Sequence, residues 1–212
     1  MIHADPSKSS PTPEIKQVEF NTISSSFGGL SSQVTQLHQY LYAIGAYGPD
    51  APITRESLPD NPAATKLAAG LAAAHKAYSS SNAVILFIVQ DPERNAFDQR
   101  WLEYHLLSTH GIQTRRHTLK EIAEIAKVDQ ERRLWIPSPV KGSEWQEISV
   151  VYLRAGYGPG DYPSQTEWEA RWMLERSTAI KCPTVITQLA GCKKVQQVLA
   201  STGELERYYL EM

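Results

Sequence analysis

The chain has 212 residues, 42% of them hydrophobic and 21% charged, with a formal net charge of −2. That is ample material for one domain, or one with a small appendage, and its scattered Lys and Arg form no basic stripe suited to nucleic acid. The longest apolar run, Ala83–Val89, is too short to cross a bilayer, and Met1–Pro6 lacks the hydrophobic core of a signal peptide.

Residues 1–13, rich in Ser and Pro around Asp5–Pro13, are expected to form a loose leader. From Ile15 to Ile23 apolar and polar residues alternate, which predicts a strand with Val18 and Phe20 on one face and Glu19 and Asn21 on the other. The run breaks at Ser24-Ser25-Ser26-Phe27-Gly28-Gly29. Leu30, Val34, Leu37, Leu41 and Ile44 then recur at helical spacing. After a Pro- and Gly-punctuated connection, a second helix is expected over Ala63–Tyr78. The unbroken apolar stretch Ala83–Val89 reads as a strand buried on both faces, the kind found mainly in parallel sheets. A helix over Ala96–Thr109, a strand near Ile112–His117, a helix over Leu119–Ala126 and a weak strand at Arg133–Ile136 follow. Beyond a turn-rich excursion, Glu147–Leu153 reads as a strand, and Glu167–Ala179 and Lys193–Ala200 as helices. This alternation predicts an α/β fold with a largely parallel central sheet and helices on both faces. The expected division is a region at 14–80 bordering the site, an α/β domain at 81–205 and a tail at 206–212.

In open α/β sheets ligands bind beyond the carboxyl ends of the strands. Three polar clusters fall there: Ser24–Gly29, Glu93-Arg94-Asn95 and Arg154-Ala155-Gly156-Tyr157. Arg94 and Arg154 each follow a hydrophobic strand, where a guanidinium can hold a carboxylate by paired hydrogen bonds. Taken singly, either fits a surface salt bridge equally well. Gln99 lies one helical turn after Asn95 and shares its face. Glu19 and Asn21 offer hard oxygen ligands of the kind Mg²⁺ takes, although an edge strand with a solvated polar face gives the same pattern. Lys193 sits in a first helical turn, where a bound phosphate would offset the unfavourable dipole. Cys182 and Cys192 make neither a disulfide framework nor a metal motif, and the six histidines show no ligand spacing. Gly156–Gly160 lacks the dinucleotide fingerprint, and no Walker-type loop occurs.

The run Lys16–Gly29 closely resembles the signature of eukaryotic-type glutathione synthetases. The resemblance continues in family order through Glu93–Arg100, Arg154–Tyr157, Trp168–Arg171, Lys181–Pro183 and Gln188–Gln197. It implies a Rossmann-like substrate-binding region of an ATP-dependent carbon–nitrogen ligase that joins γ-glutamylcysteine to glycine through an acyl phosphate. By the resemblance, Ile23, Ser24, Ser25, Ser26, Glu93, Arg94, Asn95, Gln99, Arg154, Ala155, Gly156 and Tyr157 contact γ-glutamylcysteine. Position 155 departs from the family's pattern, which has Asp where this chain has Ala. Glu19 and Lys193 correspond to ATP contacts, and Glu19 and Asn21 to Mg²⁺ ligands, with a further carboxylate expected from beyond this chain. The family's ATP-grasp strands, Gly-rich lid and glycine-side residues would follow Met212, and a substrate-contacting arginine would precede Met1. The expectation is therefore a cytoplasmic, homodimeric ligase of which this chain carries the substrate side and is inert alone, with no nucleic-acid or membrane partner. The alternative is a non-catalytic interaction module that retains the fold.

Overall fold

A computed structural model describes residues 2–3 and 13–209. The expected leader lies mostly outside them, as do residues 210–212 of the expected tail. The chain divides into two compact units, one spanning Ser24–Pro183 and a smaller one joining the residues before Ser24 to those after Pro183. In the smaller unit, β1 (Ile2–His3) pairs antiparallel with β2 (Glu14–Ile15).

The larger unit opens with helices α1 (Gly28–Ala43) and α2 (Ala63–Tyr78). It continues as β3 (Val84–Ile88), α3 (Ala96–His110), β4 (Thr114–His117), α4 (Leu119–Ile125), β5 (Lys127–Val128), β6 (Leu134–Pro137), β7 (Trp145–Leu153), α5 (Gln165–Arg176) and β8 (Ile180–Cys182). The sheet runs β4-β3-β7-β6-β5, and β7 organises it. One edge of β7 pairs parallel with β3. Its other edge is shared: Trp145–Ile148 pairs antiparallel with β6, and Val150–Tyr152 parallel with β8. The sheet is thus mixed, not largely parallel. β6 returns into β7 through the short excursion at 138–144, and so short a link permits only an antiparallel neighbour.

β3 is buried throughout, as expected of a strand covered on both faces. Ile85 and Phe87 join Val150 in a core with Ala68, Leu71, Leu102 and Leu106 of α2 and α3. Leu86 and Ile88 point the other way by the pleat and are equally buried. Helices α4 and α5 pack against each other. A register shift at Val84/Ile85 marks a bulge, where the Ser149 hydroxyl donates to the Val84 carbonyl (3.1 Å) and meets His75 Nδ1 at 2.7 Å.

The helices at this end of the unit cap one another. The Ser32 hydroxyl of α1 accepts the Ala64 N–H in the first turn of α2 (3.2 Å). α1 itself packs through Gly29 and Ser32, and much of the apolar stripe read from its sequence lies in the open: Val34, Leu37 and Ile44 are exposed. α5 begins on a capping box between Ser164 and Glu167 and stops at Arg176, which leaves room for the three-residue strand β8.

After Pro183 come α6 (Val185–Ala190), α7 (Lys193–Leu199) and α8 (Glu206–Tyr209) in the smaller unit. The strand expected over Ile15–Ile23 does not form a ladder beyond Ile15, and Val18 and Phe20 are 66% and 60% exposed. Alternation gives a chain two faces, but a strand also needs a neighbour to pair with. None of the described residues supplies one there.

Phe87 is fully buried and meets Tyr152 edge-on at 5.0 Å between ring centroids. Phe87→Ala should therefore destabilise the fold by about 3–5 kcal/mol in urea unfolding. A loss below ~1 kcal/mol would show that this core is not what holds the sheet.

Candidate active site

The loop at 24–27 needs two left-handed residues, Ser24 (φ 52) and Phe27 (φ 66), and so depends on outside support. Asp98 of α3, only 3% exposed, supplies it. Its carboxylate accepts the N–H groups of Phe27, Gly29 and Leu30 at 2.8, 2.8 and 2.9 Å, capping α1 from another helix. Gly29 is required here, because a Cβ would lie 2.5 Å from the Asp98 carbonyl. The Ser24 hydroxyl donates to Leu153 O at the end of β7 (3.2 Å), and Asn95 Nδ2 donates to Ser26 Oγ (3.1 Å).

Arg154 is 4% exposed. Its terminal nitrogens donate to Ser25 O and Ser26 Oγ, so its fork is spent on the serine loop, not left open as the sequence suggested. Its Nε is buried without a hydrogen-bond partner. Tyr152 lies below it, 5.7 Å from ring centroid to guanidinium, with its phenol pushed above the usual range by burial.

A cleft of about 880 Å³ opens beyond the carboxyl ends of β3, β4 and β7. Glu93, Arg94, Asn95, Ala155 and Tyr157 all line it, bringing together two sequence clusters about 60 residues apart. Arg94 is exposed to the cleft. Glu93 accepts the Asn95 N–H at 2.7 Å through Oε1, while its Oε2 is buried with no partner. An anionic oxygen in that position is costly unless a donor reaches it. Gly156 adopts φ 89, and a Cβ on it would meet the Tyr162 hydroxyl at 2.8 Å. Gln99 is not at the cleft. It is buried, and its Oε1 accepts from Arg116 (2.7 Å), which in turn pairs with the buried Glu103 at 2.6 Å. Sharing a helical face with Asn95 was not enough, because Asn95 is the N-cap of α3 and Gln99 already points beneath the helix.

Ile23, Glu19, Asn21 and Lys193 belong to the smaller unit. Lys193 pairs with Glu19 Oε2, and Asn21 Nδ2 lies 3.3 Å from Glu19 Oε1, so the three expected nucleotide and metal residues do converge. Glu19 and Asn21 supply one carboxylate and one amide oxygen. That fits Mg²⁺ as two of its six ligands, the remainder falling to phosphates, water or another carboxylate. No cluster of three or more His, Cys, Asp or Glu occurs among the described residues. One amide pairs with both backbone groups of Phe20: Gln196 Nε2 donates to Phe20 O, and Gln196 Oε1 accepts the Phe20 N–H, both at 3.2 Å, replacing a rung of the missing ladder. Thr22 Oγ1 reaches Gln188 O (3.4 Å) and packs on Gly191, where a Cβ would come within 3.0 Å of Thr22 Cβ.

Asp98, Asp161 and Gln196 hold irregular backbone here without having stood out in the sequence. Asp98 and Gln196 stood inside the blocks Glu93–Arg100 and Gln188–Gln197. Their roles depend on backbone groups brought from distant positions, which spacing does not reveal.

A family model described as eukaryotic glutathione synthase matches residues 83–190, just over half of the chain. The chain belongs to the eukaryotic glutathione synthase family. It is 46% identical over 195 residues to the glutathione synthetase of Homo sapiens, covering 92% of this chain and 38% of that protein. It is 42% identical over 197 residues to the chloroplastic glutathione synthetase of Solanum lycopersicum, covering 93% of this chain and 34% of the relative. Among solved structures, a glutathione synthetase-like effector from Globodera pallida in apoform superposes with a TM-score of 0.75 at 23% identity, over 99% of this chain and 45% of that one, a likeness of fold. The chain thus spans between about a third and two fifths of the length of these curated synthetases. No helix of the described residues is long and apolar enough to cross a membrane.

Gly191→Ala should push Thr22 off the α6–α7 turn and loosen the Gln196–Phe20 pair. Amide exchange at Phe20 should accelerate by about tenfold, the loss of roughly one hydrogen bond. Unchanged exchange would show that this contact does not hold the segment.

Proposed function

We propose that this chain is the γ-glutamylcysteine-binding portion of a glutathione synthetase. The observation that carries this reading is the gathering of Glu93, Arg94, Asn95, Ala155 and Tyr157 on one cleft at the strand ends, with a carboxylate oxygen of Glu93 lacking a donor. The dipeptide has two carboxylates and one ammonium. Glu93 suits the ammonium, and Arg94 suits a carboxylate. Arg154, Asn95 and Asp98 hold the serine loop, with the Ser24 and Ser26 hydroxyls engaged within the chain.

In the complete ligase, ATP phosphorylates the cysteinyl carboxylate, and the glycine amine then displaces phosphate to form the peptide bond. Mg²⁺ held in part by Glu19 and Asn21 would neutralise phosphate charge. Lys193, now paired with Glu19, would exchange that partner for a phosphate oxygen. No side chain here serves as a covalent nucleophile. The chain's own part is to bind and orient the dipeptide, and catalysis by positioning requires little else of it. Assembly as a homodimer in the cytoplasm belongs to the same reading.

A second reading, a non-catalytic interaction module, is favoured by one feature, the exposed apolar stripe of α1 at Val34, Leu37 and Ile44. Calorimetric titration separates the two. γ-Glutamylcysteine should bind the chain without ATP hydrolysis, and Arg94→Ala should weaken binding by about tenfold, the worth of a charge-assisted hydrogen bond. A folded chain that takes up no dipeptide at millimolar concentration would contradict the proposal and favour the module.

A further inference from the structure

The cleft wall at Ala155–Gly158 has no regular structure to hold it. Gly156, Tyr157 and Gly158 instead direct three consecutive N–H groups at one oxygen, Asp161 Oδ2, at 2.9, 3.1 and 3.3 Å. Such a run of backbone donors forms an anion-binding concavity, and here the chain fills it with its own carboxylate. Asp161 Oδ1 accepts from Gln90 Nε2 (2.9 Å), and the same nitrogen lies 3.1 Å from the Tyr157 hydroxyl. Gln90 directly follows the β3 run, so Asp161 joins the loop after β7 to the end of β3. On the far side, the Tyr162 hydroxyl donates to Gly156 O (3.1 Å) while its ring stacks on Trp168 at 4.0 Å.

We propose that Asp161 is a positioning residue, which sets the Ala155–Gly158 wall and the Tyr157 hydroxyl in the geometry that receives γ-glutamylcysteine. Both of its oxygens are occupied by the chain's own donors, so it acts through the loop and not by touching ligand. The inference rests on the reading of the cleft given under Proposed function.

The test uses the full chain with γ-glutamylcysteine as the probe, comparing wild type, Asp161→Asn and Gln90→Ala. Asp161→Asn keeps the shape but aims an amide where the charge was. Affinity should fall about tenfold, and the backbone amide resonances of Gly156, Tyr157 and Gly158 should move while those of the β3 core stay in place. Gln90→Ala leaves the three N–H contacts intact and should weaken binding about threefold; it carries the test should Asp161→Asn fail to fold. Affinity within twofold of wild type in both variants would overturn the proposal alone. A wild-type chain that does not bind the dipeptide would overturn the cleft reading, and this inference with it.

Discussion

A single buried carboxylate, Asp98, sets the geometry of the serine loop at the start of α1. Asp98 accepts three N–H groups from the start of α1, a helix that brings no side-chain cap of its own. Without it, those donors would lose their partner, Gly29's in a buried position, and the left-handed turn at Phe27 would have nothing to offset its strain. Because Asp98 lies in the first turn of α3, the serine loop is fixed relative to Asn95 on the same helix. Arg154, at the end of β7, closes the arrangement from the other side. Loop position thus follows from the sheet through two charged side chains, both nearly inaccessible to water.

The same economy recurs elsewhere in the chain. Asp161 gathers three backbone donors beside the cleft, and Ser32 caps α2 from α1. In the smaller unit Gln196 acts as a surrogate strand, pairing with both polar groups of Phe20. Polar side chains here serve largely to satisfy irregular backbone that no ladder or helix pairs. This explains why sequence blocks so far apart as Glu19–Thr22 and Gln188–Gln197 belong to one local structure.

Regular elements were legible where pattern and environment agree. β3 announced itself as an unbroken apolar run because both of its faces are covered, and α2 was readable to its ends. The strand order was not. β6 and β8 are short, and their shared claim on one edge of β7 is a tertiary fact with no local signal. The Ile15–Ile23 segment shows the converse, a good alternating pattern without a partner to pair with. Of the three polar clusters expected at the strand ends, Glu93–Asn95 and Ala155–Tyr157 do meet on one cleft, and Ser24–Gly29 is not among its lining residues. Gln99 misled because helical periodicity says which side chains share a face, not which of them is drawn into a buried ion-pair network with Arg116 and Glu103.

The serine loop depends most on Asp98, and hydrogen–deuterium exchange of Asp98→Asn tests that dependence directly. Amides at Phe27, Gly29 and Leu30 should lose protection together, while those of β3 and β7 keep theirs, because the core does not depend on the loop. Unchanged protection at those three amides would contradict the claim that this carboxylate orders the serine loop.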